Sequence, residues 1–201
     1  MGITAIFGGS FNPVHNGHVN LVREMSAALC PDRILIVPTG ISPFKQGVKP
    51  MFSGDDRFNM CRLAFGDIKN CSVSRYELDS SGVSYTVLTL RYFHEMYPDD
   101  ELYLIVGSDM LLSLKRWKNF EEIMQLASIA AASRENGDFG ELSECADELS
   151  RYGKVRLINI TPFPLSSTEI REKIENKLDI SCYLPEKVVQ YIREMKITEG
   201  E

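Results

Sequence analysis

Short, unbroken apolar runs recur along the chain, separated by longer stretches whose apolar positions return every three or four residues. The runs at 3–7, 33–37, 71–74, 102–106, 128–132 and 155–160 predict strands. The stretches at 17–29, 54–65, 85–96, 120–126, 142–152, 168–177 and 185–195 predict helices. Uninterrupted rather than alternating apolar strands belong to a sheet covered on both faces, and their alternation with amphipathic helices makes that sheet parallel. The expected fold class is α/β: a single doubly wound, Rossmann-like domain over 1–201, mostly parallel, with helices on both faces. Neither an internal repeat nor a low-complexity tract interrupts it. A polar, glycine-bearing loop is expected at 136–140, and a frayed end from 198 onward. In open sheets of this kind, ligands bind beyond the carboxyl ends of the strands.

The first strand runs into Gly8-Gly9-Ser10-Phe11-Asn12-Pro13-Val14-His15-Asn16-Gly17-His18 and then into a helix. His15 and His18, three residues apart at a helix start, can face one small volume above the strand end. A helix N-terminus offers unpaired N–H groups and partial positive charge, a good seat for phosphate. Gly8-Gly9 and Asn12-Pro13 are also ordinary turn dipeptides, so the segment gains meaning from its place between strand and helix. In that context it resembles the H-x-G-H signature of the Rossmann-like nucleotidyltransferase superfamily.

A second segment, Ser166-Ser167-Thr168-Glu169-Ile170-Arg171, follows the last predicted strand. Ser166 and Glu169 form a capping-box pattern that would start a helix without any chemistry. The same residues resemble the superfamily's C-terminal S-S-T-x-x-R motif, in which hydroxyls, N–H groups and an arginine hold phosphates. Lys45, on the loop after the second strand, matches a family lysine that reaches the phosphates. Phe44 stands where the family often has histidine.

Ser84-Tyr85-Thr86 at a helix start, Gly107-Ser108-Asp109 after the fourth strand, and the single tryptophan, Trp117, extend the likeness over nearly the whole chain. Together they resemble the nicotinate-nucleotide adenylyltransferase family. The resemblance implies adenylyl transfer from ATP to nicotinate mononucleotide, giving nicotinate adenine dinucleotide and pyrophosphate in NAD biosynthesis. It implies catalytic roles for His18, His15, Lys45 and Arg171. Gly8, Gly9, Ser10, Phe11, Ser167, Thr168 and Arg134 would bind ATP and its phosphates. Thr86, Asp109 and Trp117 would bind the nicotinate nucleotide: Trp117 stacking on the pyridine ring, Thr86 holding the carboxylate, Asp109 taking ribose hydroxyls. Arg134 is followed by Glu135-Asn136-Gly137, where the family usually has Pro-Gly. Mg²⁺ would enter bound mainly through the ATP phosphates, and no protein ligand to a metal is expected.

Composition narrows the alternatives. The chain has 201 residues, 44% hydrophobic and 25% charged, with a net charge of −6. An acidic body argues against nucleic acid as a partner. No stretch is long enough to span a membrane, and no leader pattern is seen, so a cytoplasmic protein is expected. Five cysteines, scattered and odd in number, suggest reduced and mostly buried thiols rather than disulfides or zinc. Several alternatives stay open: nicotinamide mononucleotide or another phosphorylated acceptor, and a nucleotide-binding regulator without catalysis. A phosphopantetheine adenylyltransferase is disfavoured by length and by His15, and a cytidylyltransferase by the extent of the match. Oligomeric state is open, a homodimer included.

Overall fold

The computed structural model describes residues 2–43, 50–133, 139–161, 163 and 165–198. Six strands, β1 (Ile3–Gly9), β2 (Arg33–Pro38), β3 (Cys71–Val73), β4 (Glu101–Val106), β5 (Ser128–Ser133) and β6 (Val155–Asn159), form one sheet. Their order is β3-β2-β1-β4-β5-β6, and every neighbouring pair is parallel. The helices are α1 (Asn16–Leu29), α2 (Gly54–Phe65), α3 (Tyr76–Asp79), α4 (Thr86–Met96) and α5 (Ser108–Ser113), followed by α6 (Phe120–Leu126), α7 (Phe139–Leu149), α8 (Ser167–Glu175) and α9 (Glu186–Thr198).

Successive strand residues point to opposite faces, so each apolar strand feeds two cores. On one face Ala5, Phe7, Ile34, Ile36, Ile105, Ala130 and Ala132 pack with residues of α1, α2, α8 and α9. On the other, Ile6, Leu35, Val37, Leu104, Val106, Ile129 and Ala131 pack with α4, α5, α6 and α7. That double burial is the reason the runs are continuous.

The chain reverses direction across the sheet at β1, since β2 lies on one side of it and β4 on the other. The register shows how a crevice opens there. β1 pairs with β4 only as far as Ile6↔Leu104, whereas it stays with β2 to Gly9↔Pro38. Beyond Ile6, β1 and β4 part, and the fork between them becomes the ligand crevice expected of such sheets.

Three local expectations are corrected. The helices α3 and α5, and the 3-10 turn Leu114–Arg116, lie in segments not predicted as helix; four to six residues give too few turns for a periodic signal. The loop expected at 136–140 is helix from Phe139 onward. Only Cys61 is buried; Cys30 and Cys182 are exposed, and Cys71 and Cys145 lie between, all five as free thiols. Among the described residues no helix is long and apolar enough to cross a membrane.

Candidate active site

The turn after β1 places two imidazoles at the fork. Phe11 adopts a left-handed backbone, φ 44°, a conformation costing an L-residue on the order of 1–2 kcal/mol. Its ring is fully buried and meets Phe7 at 5.4 Å, Phe65 at 6.0 Å and the His18 ring at 5.0 Å, all edge-on. Phe11 therefore turns its side chain into the core and backs His18. Its buried ring does not face the site, so any part it takes in the phosphate-binding set falls to its backbone.

His15 is the N-cap of α1, and its backbone N–H donates to His18 Nδ1 at 3.2 Å. An Nδ1 that accepts carries no proton, so the neutral His18 ring keeps its hydrogen on Nε2. The two rings stack at 3.6 Å, 29° apart. His15 is buried, and its Nδ1 has no hydrogen-bond partner among the described residues. Burial lowers the His15 pKa to about 4, against a smaller opposing pull from Glu169. Burial, then the neighbouring His15, hold His18 well below the ordinary imidazole value. Both rings are neutral at pH 7 before any ligand arrives. They meet phosphate as hydrogen-bond donors at the positive end of α1 rather than as cations. Gly17 keeps the space between them: a Cβ there would lie 3.1 Å from the His15 ring and 3.4 Å from the Phe163 carbonyl, so the ring would have to yield by a few tenths of an ångström.

The second motif is locked onto the first. Ser166 caps α8 through a reciprocal box with Glu169. Ser167 Oγ donates to the Pro13 carbonyl at 3.0 Å, and Arg171 donates to the Asn12 carbonyl at 2.9 Å and to Thr168 Oγ1 at 3.0 Å. Asn20 donates to the Thr161 carbonyl at 3.0 Å. Although β6 is an edge strand, the chain after it crosses back, so the starts of α1 and α8 meet at one point. Arg171 spends two donors on this joint, and a guanidinium has five.

A pocket of about 580 Å³ fills the fork. Its lining includes Gly8 and Gly9 at the end of β1 with Ser10 beyond, Val106 at the end of β4 with Gly107 beyond, and Thr86 and Trp117. Such a volume suits a small nucleotide. Thr86 opens α4, whose first turn carries no acidic residue. Trp117 is half-buried, its Nε1 donating to Ser113 Oγ at 3.4 Å, and its ring both lines the pocket and packs on the core.

The structure thus brings together Gly8, Gly9, Ser10, His15, His18, Ser167, Thr168 and Arg171 around the β1 turn, and Thr86 and Trp117 in the adjoining pocket. It does not bring Asp109 with them: that carboxylate is exposed on the first turn of α5, outside the pocket lining. Lys45 and Arg134 lie outside the described residues. Among the described residues no group of three or more His, Cys, Asp or Glu side chains could hold a metal ion.

Two buried charges beside the pocket went unread in the sequence. Arg57, on α2, donates to the Ser10 carbonyl at 2.9 Å and the Thr39 carbonyl at 2.7 Å. It ties the turn after β1 to the end of β2. Glu77, on α3, accepts from Thr89 Oγ1 at 2.6 Å, and the Gly40 N–H donates to Ser84 Oγ at 3.1 Å beside it; burial raises the Glu77 pKa, with the nearby hydroxyls opposing. Gly40 permits this approach, since a Cβ there would sit 2.3 Å from the Glu77 carbonyl oxygen.

Comparison with known proteins agrees with this geometry. Residues 6–173 match the model of the cytidylyltransferase-like family. A probable nicotinate-nucleotide adenylyltransferase of Methylacidiphilum infernorum is 38% identical over 96% of this chain and 90% of its own. One from Clostridium novyi is 32% identical over 96% of both chains. The structure of Plasmodium falciparum nicotinic acid mononucleotide adenylyltransferase complexed with NaAD superposes with a TM-score of 0.78 at 20% identity, covering 100% of this chain and 99% of that one. At that identity the likeness speaks for the fold alone.

Proposed function

The chain belongs to the cytidylyltransferase-like family, and we propose that within it this protein transfers the adenylyl group of ATP to nicotinate mononucleotide. The observation that carries the proposal is the joint of two helix starts at the sheet fork. There His15 and His18 stand beside Ser167, Thr168 and Arg171, next to a pocket walled by Thr86 and Trp117. Relatives above 30% identity, named for this activity, support it.

The phosphate oxygen of the mononucleotide attacks the α-phosphorus of ATP in line. The bond to the bridging oxygen of the β-phosphate breaks, and pyrophosphate leaves with that electron pair. The attacking oxygen is already anionic, so no strong base is needed. The obstacle is the meeting of two polyanions, and catalysis rests on positioning and on donors aimed at the developing charge. His18 Nε2–H donates to the α-phosphate oxygens as negative charge spreads, with His15 beside it. The N–H groups of the Gly8–Ser10 turn and the start of α1 cradle the chain of phosphates. Arg171, Ser167 and Thr168 hold the leaving pyrophosphate, with Lys45 and Arg134 as further phosphate contacts. Trp117 stacks on the pyridine ring, the first turn of α4 with Thr86 takes the ring carboxylate, and Asp109, exposed between the lining residues Gly107 and Met110, reaches ribose hydroxyls beyond that lining. Mg²⁺ would enter with ATP rather than on a protein ligand, and would supply charge neutralisation at the phosphates. The free thiols suit a reducing compartment, and we place the reaction in the cytoplasm.

Pyrophosphate release with ATP, magnesium and nicotinate mononucleotide tests this directly. One pyrophosphate per dinucleotide is the expected result. ATP binding without release, whatever acceptor is offered, would replace the enzyme with a nucleotide-binding regulator.

A further inference from the structure

Burying a carboxylate is costly unless something compensates for it, and the adenylyl-transfer chemistry above makes no use of Glu77. Yet Glu77 is buried and lines the pocket that would receive the acceptor. Burial pushes its pKa up, and the surroundings work against that: Thr89 Oγ1 donates to the carboxylate at 2.6 Å, the Ser84 hydroxyl lies close by, and the Arg57 guanidinium interacts with it. The remaining charged side chains among the described lining residues are Arg116 and Lys118, both exposed. Lys118 lies over the Tyr85 ring at 4.1 Å. The lining is thus polarised, with an anion in its buried part and cations at its exposed part.

A pyridine mononucleotide carries the matching pattern. Its ring nitrogen is quaternary and positive, while its phosphate, and in the acid form its carboxylate, are negative. We propose that Glu77 is a specificity-determining residue whose buried carboxylate is the counter-charge for the ring cation, so that the site selects pyridinium mononucleotides over acceptors with neutral rings. The proposal rests on the acceptor assigned above and adds to it the residue that reads the ring charge. Trp117 also favours a cation on its face, but an indole sits at the surface of many pockets; a buried carboxylate bonded by Thr89 Oγ1 and near the Arg57 guanidinium is not explained by apolar packing.

The ring charge can be removed without changing ring size. The 1,4-dihydro form of nicotinate mononucleotide has a neutral ring and the same carboxylate and phosphate. Calorimetric titration of the whole protein with both forms gives an affinity ratio, oxidised over reduced, that does not depend on turnover or on the fraction of folded protein. The wild type should favour the oxidised form by tenfold or more. Glu77→Gln keeps the side-chain shape and an acceptor oxygen but loses the charge, and the ratio should fall about tenfold, Trp117 supplying what remains. Thr89→Val, which leaves Glu77 in place and removes its shortest bond, should lower the ratio several-fold and serves if Glu77→Gln does not fold. An unchanged ratio in the folded variants, or a wild type indifferent to ring charge, would overturn the proposal. Dinucleotide synthesis by that same indifferent wild type would leave the adenylyltransferase assignment standing. Failure to bind either form and to make any dinucleotide would overturn both.

Discussion

Lowering the pH should destabilise this protein through its own active site. His15 is buried with a pKa of about 4, against about 6.5 for an unfolded histidine. Between those values the unfolded chain holds the extra proton, so stability rises with pH across the window and is lost as pH falls from 6.5 towards 4. The difference of about 2.5 units corresponds to about 3 kcal/mol for His15 alone, with most of it gone by about pH 4.5. That is a large part of a typical folding free energy of about 5–15 kcal/mol. The assay is urea unfolding at intervals from pH 7.5 to 4.5, for the wild type and for His15→Asn. Because carboxylates contribute to both proteins alike, the difference between their pH slopes isolates the histidine. It should be flat above pH 7 and diverge below 6.5, with the wild type losing more. The chain has three histidines, and the third, His94, is exposed on α4, so His94→Gln leaves two imidazoles to follow by NMR. Parallel pH slopes, or a His15 signal titrating near 6.5, would refute the neutral, buried ring. ATP should oppose the effect, because bound phosphate favours the imidazolium. Binding near pH 5.5 should then take up protons, seen as a buffer-dependent heat.

Other outcomes follow from single contacts. His18→Ala should lower kcat by ~100- to 1000-fold, the usual cost of losing a donor to developing charge, while the Kd for ATP changes by a few-fold; turnover near wild type in a folded variant would remove His18 from the mechanism. Arg57→Leu leaves the Ser10 and Thr39 carbonyls without their 2.9 and 2.7 Å donors and should cost about 3 kcal/mol in denaturant titration. Gly40→Ala puts a Cβ 2.3 Å from the Glu77 carbonyl oxygen, so α3 must move; the midpoint should drop and the mononucleotide KM rise, whereas an unchanged KM would separate α3 from the acceptor site.

What could be read from the chain itself was the local and the periodic. The runs became strands because both sheet faces are buried, and the H-x-G-H and S-S-T-x-x-R segments became helix starts because caps and glycine act over three or four residues. Arg57 was invisible because its partners, Ser10 and Thr39, lie 47 and 18 positions away, and nothing in an amphipathic helix pattern marks an inward-facing arginine. The charge state of His15 and His18 was equally hidden, since a sequence does not report how deeply a ring is covered. That Phe11 turns its ring into the core was not legible either, because its left-handed backbone is not marked by its residue type. Asp109 rests on motif order alone: it is exposed at the start of α5, between the pocket-lining Gly107 and Met110.

The central claim is nucleotidyl transfer at the joint of α1 and α8, and isotope tracking tests it most directly. With ATP labelled at the α-phosphate, magnesium and nicotinate mononucleotide, all transferred label should appear in the dinucleotide, with unlabelled pyrophosphate in equal amount and next to none in His18→Ala. Label recovered as AMP, or no label moved by folded protein that binds ATP, would contradict the account.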